Sequence, residues 1–137
     1  MVTDRQITFG NQVKSKVNAK AWKFDGNDFI YPHPFVLGFS GELGEVMELV
    51  DFFSHPENFK SAPRMRSSTG LALTKEGIYI INSPGRWVRL KEKYYAIGSG
   101  SIAALGALHA GASPKEAVLA ASKVDPFTGM GTKSIKL

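Results

Sequence analysis

The stretch YYAIGSGSIAALGALHAGASPKEAVLAASKVDPFTG, residues 94–129, decides how this chain is read. Its order is an apolar strand, a glycine-rich turn, a helix of small residues, a second helix and an acidic turn. Gly111 stands where a helix needs a left-handed closing residue. Ser113-Pro114-Lys115-Glu116 is a capping box with proline at the first helical position, which predicts a helix to about Val124. Asp125 and Pro126 then stop it. Ser99 and Asp125, distant in sequence, are thereby placed at two turns that a helical hairpin brings to one end.

Working outward, residues 71–74 and 78–81 around Lys75-Glu76-Gly77 form a hairpin pattern. Ser83-Pro84-Gly85 turns the chain into two further short strand pieces within 86–97, split by Lys91-Glu92-Lys93. Residues 42–53 place Leu43, Val46, Met47, Leu49, Val50 and Phe53 at helical spacing, with Glu42, Glu45, Glu48 and Asp51 opposite. Phe35-Val36-Leu37-Gly38-Phe39 reads as a buried strand after Pro32 and Pro34. Residues 54–68 read as an irregular excursion, long for a compact domain. Residues 19–24 form a short strand ended by a turn at Asp25-Gly26-Asn27-Asp28. Upstream, polar and apolar residues alternate, with a break at Gly10-Asn11, and residues 131–137 offer a final strand. Strands in hairpin-linked groups and helices in blocks point to an α+β fold with antiparallel sheets, in one domain of 1–137.

Composition narrows the chemistry. The 137 residues contain no cysteine, which excludes disulfides, thiolate metal sites and a cysteine nucleophile. His33, His55 and His109 share no ligand spacing, so no metal or other cofactor is expected. No apolar run reaches the length of a membrane span and no signal pattern opens the chain, so a soluble, cytoplasmic protein without membrane contact is expected. The net charge of +5 is spread over dispersed lysines and arginines. No nucleic-acid-binding motif organises them, and nucleic acid is not an expected partner. Taken alone, Lys20 is an exposed lysine, Asp4 a solvated carboxylate and Gly98-Ser99-Gly100 a tight turn.

Three segments carry a resemblance to a known family. Thr3-Asp4-Arg5-Gln6 followed by Thr8-Phe9-Gly10-Asn11, Lys20 at its distance from Asp4, and the pair Ala96-Ile97-Gly98-Ser99-Gly100 and Asp125-Pro126-Phe127-Thr128-Gly129 together resemble HslV-type subunits of the proteasome family, N-terminal nucleophile hydrolases. Phe39-Ser40-Gly41 and the hairpin of residues 70–81 fall in the matching order. The resemblance implies a four-layer αββα sandwich of antiparallel sheets, trimmed at the N-terminal hairpin. It implies Lys20 as electrostatic activator, Asp4 as its partner, and Ser99, Asp125 and Thr128 as the supporting network, Thr128 replacing the family's serine.

The same resemblance places a threonine nucleophile about a dozen residues before Asp4, where this sequence has Met1, Val2 and Thr3. Thr3 is too close to Asp4 in the chain to fold back over Lys20. The expectation is therefore a catalytically silent subunit acting as a structural or assembly component, by analogy with small phage proteins a virion one. The alternative is a threonine peptidase whose true N-terminus or nucleophile is not in this chain. Residues 54–68 also replace a long helix that in the family helps join stacked rings. A homo-oligomer, or a partner chain covering an exposed sheet edge, is expected to complete the fold.

Overall fold

The computed structural model describes residues 1–4, 6–9, 13–16, 20–28 and 30–137. Nine strands and three α-helices are found among them. In chain order they are β1 (Val2–Asp4), β2 (Gln6–Phe9), β3 (Val13–Lys16), β4 (Ala21–Phe24), β5 (Phe35–Ser40), α1 (Leu43–Ser54), β6 (Thr69–Thr74), β7 (Gly77–Ser83), β8 (Arg86–Arg89), α2 (Ser101–His109), α3 (Pro114–Val124) and β9 (Thr132–Ser134). The chain divides into two compact units, residues 22–93 forming one and residues 1–21 with 94–136 the other. Each joins antiparallel strands to helices, as the α+β reading expects.

The unit of residues 22–93 is a five-stranded meander, β4-β5-β6-β7-β8, with α1 inserted between β5 and β6. Alternation along β5 turns Phe35, Leu37 and Phe39 to one face, where Leu49, Val50 and Phe53 of α1 meet them. Trp22, Phe24, Tyr31 and Trp87 pack against that core, Phe24 on Phe35 at 5.0 Å and Trp87 on Phe35 at 5.2 Å between ring centroids. Gly70 opposes Ile81 and leaves room for Phe39, whose ring lies 3.2 Å from where a Cβ would be. Glu42 caps α1 by accepting from the Gly44 and Glu45 amides. Of residues 54–68, Ser54 still belongs to α1, and the rest are irregular apart from a single 3-10 turn, Pro56–Asn58. Glu45 pins their end by accepting from the Arg66, Ser67 and Ser68 amides and both serine hydroxyls.

The other unit holds the β1–β9 ladder, the β2–β3 hairpin and the α2–α3 pair. Val2 pairs with Ser134 and Asp4 with Thr132, and α3 lies against both β1 and β9. Gly111 closes α2 at φ +96, with the Gly111 amide on Leu108 and the Ala112 amide on Ala107, a complete Schellman closure. Ser113 and Glu116 form the expected reciprocal capping box. Ala104, Leu108, Ala117 and Ala121 pack the two helices closely, which only small side chains permit.

One expected element is not formed. Residues 94–97 make no strand, because their apolar side chains go elsewhere: Tyr94 and Ala96 pack against the α2–α3 cluster. The expected turn at Gly10-Asn11 lies outside the described residues.

Candidate functional site

The site is built by the termini of the elements in residues 1–21 and 94–136. Asp4 ends β1, Lys20 directly precedes β4, Ser99 lies in the turn before α2, and Asp125 is the residue on which α3 ends. Thr128 follows in the turn that Pro126 forces, its amide on the Asp125 carbonyl.

Lys20 Nζ donates to both oxygens of Asp4, at 2.9 and 3.1 Å. The same carboxylate accepts from the Gln6 amide at 3.2 Å and from the Gly129 amide at 3.1 Å. Three of these four bonds converge on Oδ2 and one reaches Oδ1. The lysine is thus held by a base that is itself held by backbone. Side chains of the pair are largely withdrawn from water, which strengthens the attraction relative to a surface pair.

The second grouping forms around Asp125. Ser99 Oγ donates to Asp125 Oδ2 at 2.7 Å, Thr128 Oγ1 donates to the same oxygen, and the Phe127 amide donates to Oδ1 at 3.2 Å. Partial burial pushes the Asp125 carboxyl up. The two hydroxyls, the Phe127 amide and the charge of Lys20 outweigh it and hold Asp125 below the usual carboxylate range.

All five residues singled out from the sequence are therefore placed in two clusters, Asp4 with Lys20 and Ser99 with Asp125 and Thr128. What joins the clusters was not legible in the sequence. Gln6, 4% exposed, donates its side-chain amide to the Pro126 carbonyl at 2.8 Å, fastening the acidic turn to β2. Gly129 gives its amide to Asp4, and a Cβ there would stand 2.8 Å from Gln6 Oε1. Gly100 is equally constrained, since a Cβ would lie 2.7 Å from Thr128 Oγ1. The one signal for Gln6 is its position two residues after Asp4 in the sequence.

Chemically, a lysine fixed in this way supplies positive charge beside which a hydroxyl ionises at lower cost. Among the described residues, Lys20 hydrogen-bonds Asp4 and no hydroxyl. Thr3 Oγ1 is buried without a partner. No group of three or more His, Asp or Glu among the described residues is placed to hold a metal ion, and no described helix is long and apolar enough to cross a membrane.

Similarity to solved structures settles the architecture. BPH of Thiobacillus denitrificans, in complex with epoxomicin, superposes with a TM-score of 0.72 over 98% of this chain and 89% of that one, at 18% identity. The fold is of the HslV/proteasome type. The same BPH in a second structure gives 0.70 at 18% identity, with 98% and 89% of the two chains covered. Eukaryotic HslV from Trypanosoma brucei gives 0.66 at 20% identity, over 96% of this chain and 88% of that one. By sequence, no family model and no curated protein matches.

Proposed function

We propose that this chain is a structural subunit of a homo-oligomer built on the HslV/proteasome-type fold, and that its polar network serves as architecture and not as a working hydrolase. The observation that carries this is the engagement of Lys20. Its ammonium bonds Asp4 and, among the described residues, hydrogen-bonds no hydroxyl. Activating groups without an activated atom perform no covalent step. The network still has a structural use, because a buried polar cluster whose members satisfy one another fixes one arrangement of turns.

A second reading has one observation in its favour: Lys20 bonds Asp4, and Ser99 and Thr128 bond Asp125, the two groupings that the resemblance assigns to a threonine peptidase. On that reading a nucleophile supplied to Lys20 by further polypeptide would complete the site. BPH was solved with epoxomicin, so that compound is the natural probe for this chain.

The test is sedimentation of the purified chain together with hydrolysis of fluorogenic peptides. Assembly at micromolar concentration without hydrolysis supports the structural role. Hydrolysis that Lys20→Met abolishes moves the assignment to the peptidase, and a monomer at that concentration removes the assembly.

A further inference from the structure

We propose that the outer edge of β8 receives an extended, acidic segment of a different protein as an added strand, a role beyond self-assembly.

β8 ends the order β4-β5-β6-β7-β8, so among the described residues it is paired on one side only. The register fixes which backbone groups that leaves over. Tyr79 lies opposite Arg89 and Ile80 opposite Val88, and the Leu90 amide continues the ladder by donating to the Ile78 carbonyl at 2.8 Å. Antiparallel ladders alternate hydrogen-bonded and non-bonded pairs. Val88 and Leu90 therefore turn their amides and carbonyls toward β7, and Trp87 and Arg89 turn theirs away from it. Two donors and two acceptors stand along the open side, at the spacing another strand presents.

Such an edge templates whatever strand approaches it, and its side chains decide which one does. Residues 86–93 carry Arg86, Arg89, Lys91 and Lys93 against a single acid, Glu92. Arg86, Arg89 and Lys91 are exposed. Arg86 shares a face of the strand with Val88, and Arg89 shares the other with Trp87, so positive charge flanks the edge on both faces. The Arg89 guanidinium donates to the Glu76 carbonyl, which holds it beside the strand and leaves its charge in place. The Glu76 carboxylate is engaged by the Tyr31 hydroxyl. Val88, 48% exposed, gives an incoming strand an apolar footing.

Charge excludes a second copy as the occupant. Its β8 would set the same cations opposite these, and like charges directly opposed are unfavourable. Nor does another part of this chain serve, because nowhere in the sequence are two acidic residues adjacent or two apart. An extended segment needs those spacings to answer cations on both faces. The occupant is thus a different protein with an acid-rich strand. DNA would satisfy the cations, but its phosphate oxygens only accept, and the outward carbonyls of Trp87 and Arg89 require donors.

The test uses a short labelled peptide repeating Val-Glu-Glu, added to the full chain and followed by fluorescence anisotropy. A Kd of about 100 μM or tighter is expected, with at least tenfold weaker binding by the Arg86→Glu, Lys91→Glu double variant. Both positions are exposed, so its melting temperature should be unaltered. Amide exchange read by NMR gives the backbone signature. Val88 and Leu90 should exchange slowly throughout, and Trp87 and Arg89 should become slow only when the peptide is added. The same peptide N-methylated on alternate amides should bind at least tenfold more weakly, a readout that holds even where the double variant unfolds. Equal binding of the N-methylated peptide, or of one with lysine replacing glutamate, overturns strand addition. So does an absence of binding at about 1 mM peptide. Oligothymidine binding more tightly than the peptide assigns the basic edge to nucleic acid and also overturns it.

Discussion

The two units of this chain are held together by different physics. Residues 22–93 bury a layer of aromatic rings between a meander and α1, with Phe35, Leu37 and Leu49 fully enclosed. Among the described residues of 1–21 and 94–136, the buried apolar cluster is chiefly alanine, and hydrogen bonds tie turns to β1 and β2. Apolar burial is non-directional and tolerates many sequences of similar volume. A polar network is directional and fixes atoms in place. The candidate site lies in the second unit, where directional bonds fix Lys20 on Asp4 and Ser99 on Asp125.

The comparison breaks most easily at Phe53, which is 1% exposed and meets the rings of Phe24, Phe35, Phe39, Phe52 and Trp87. Phe53→Ala should cost about 3–5 kcal/mol by urea unfolding, as large cavities in close-packed cores do. A loss near that of a surface substitution would mean that the aromatic layer does not carry its unit. Gly100→Ala is the matching probe of the polar unit. Its methyl would collide with Thr128 Oγ1 and press on Ala121, and an overpacked site of this type costs about 1–3 kcal/mol. Amide exchange should report the damage in α2, α3 and β1, leaving β5 to β7 protected.

The smallest expected effect is in acid. Asp125 is held below its ordinary range when folded, so it contributes stability above the unfolded value of about 3.9 and loses that contribution as pH falls through the folded value. Asp125→Asn should therefore be less stable than wild type at pH 6, with the gap narrowing as pH drops below about 4. A gap independent of pH would show that Asp125 acts through shape and not through its charge.

Local order was readable from local signals. The Gly111 closure and the Ser113 box act within a few residues and formed as their chemistry requires; on α1, Val46, Leu49, Val50 and Phe53 are buried as expected while Leu43 and Met47 are exposed. Residues 94–97 misled because an apolar run satisfies a strand or a helix surface equally well, and tertiary packing chose the latter. The five candidate residues were singled out through resemblance, not periodicity. The links between them were out of reach, because Gln6 meets Pro126 across 120 positions and Asp4 meets Gly129 across 125. No local pattern encodes a contact at that separation.

On the proposed reading, Lys20 is held by Asp4 and activates no nucleophile. Incubating the purified chain with epoxomicin and measuring its intact mass tests this most directly. The mass should be unchanged, with Lys20→Met behaving identically. A stoichiometric adduct on the wild-type chain that Lys20→Met loses would contradict it.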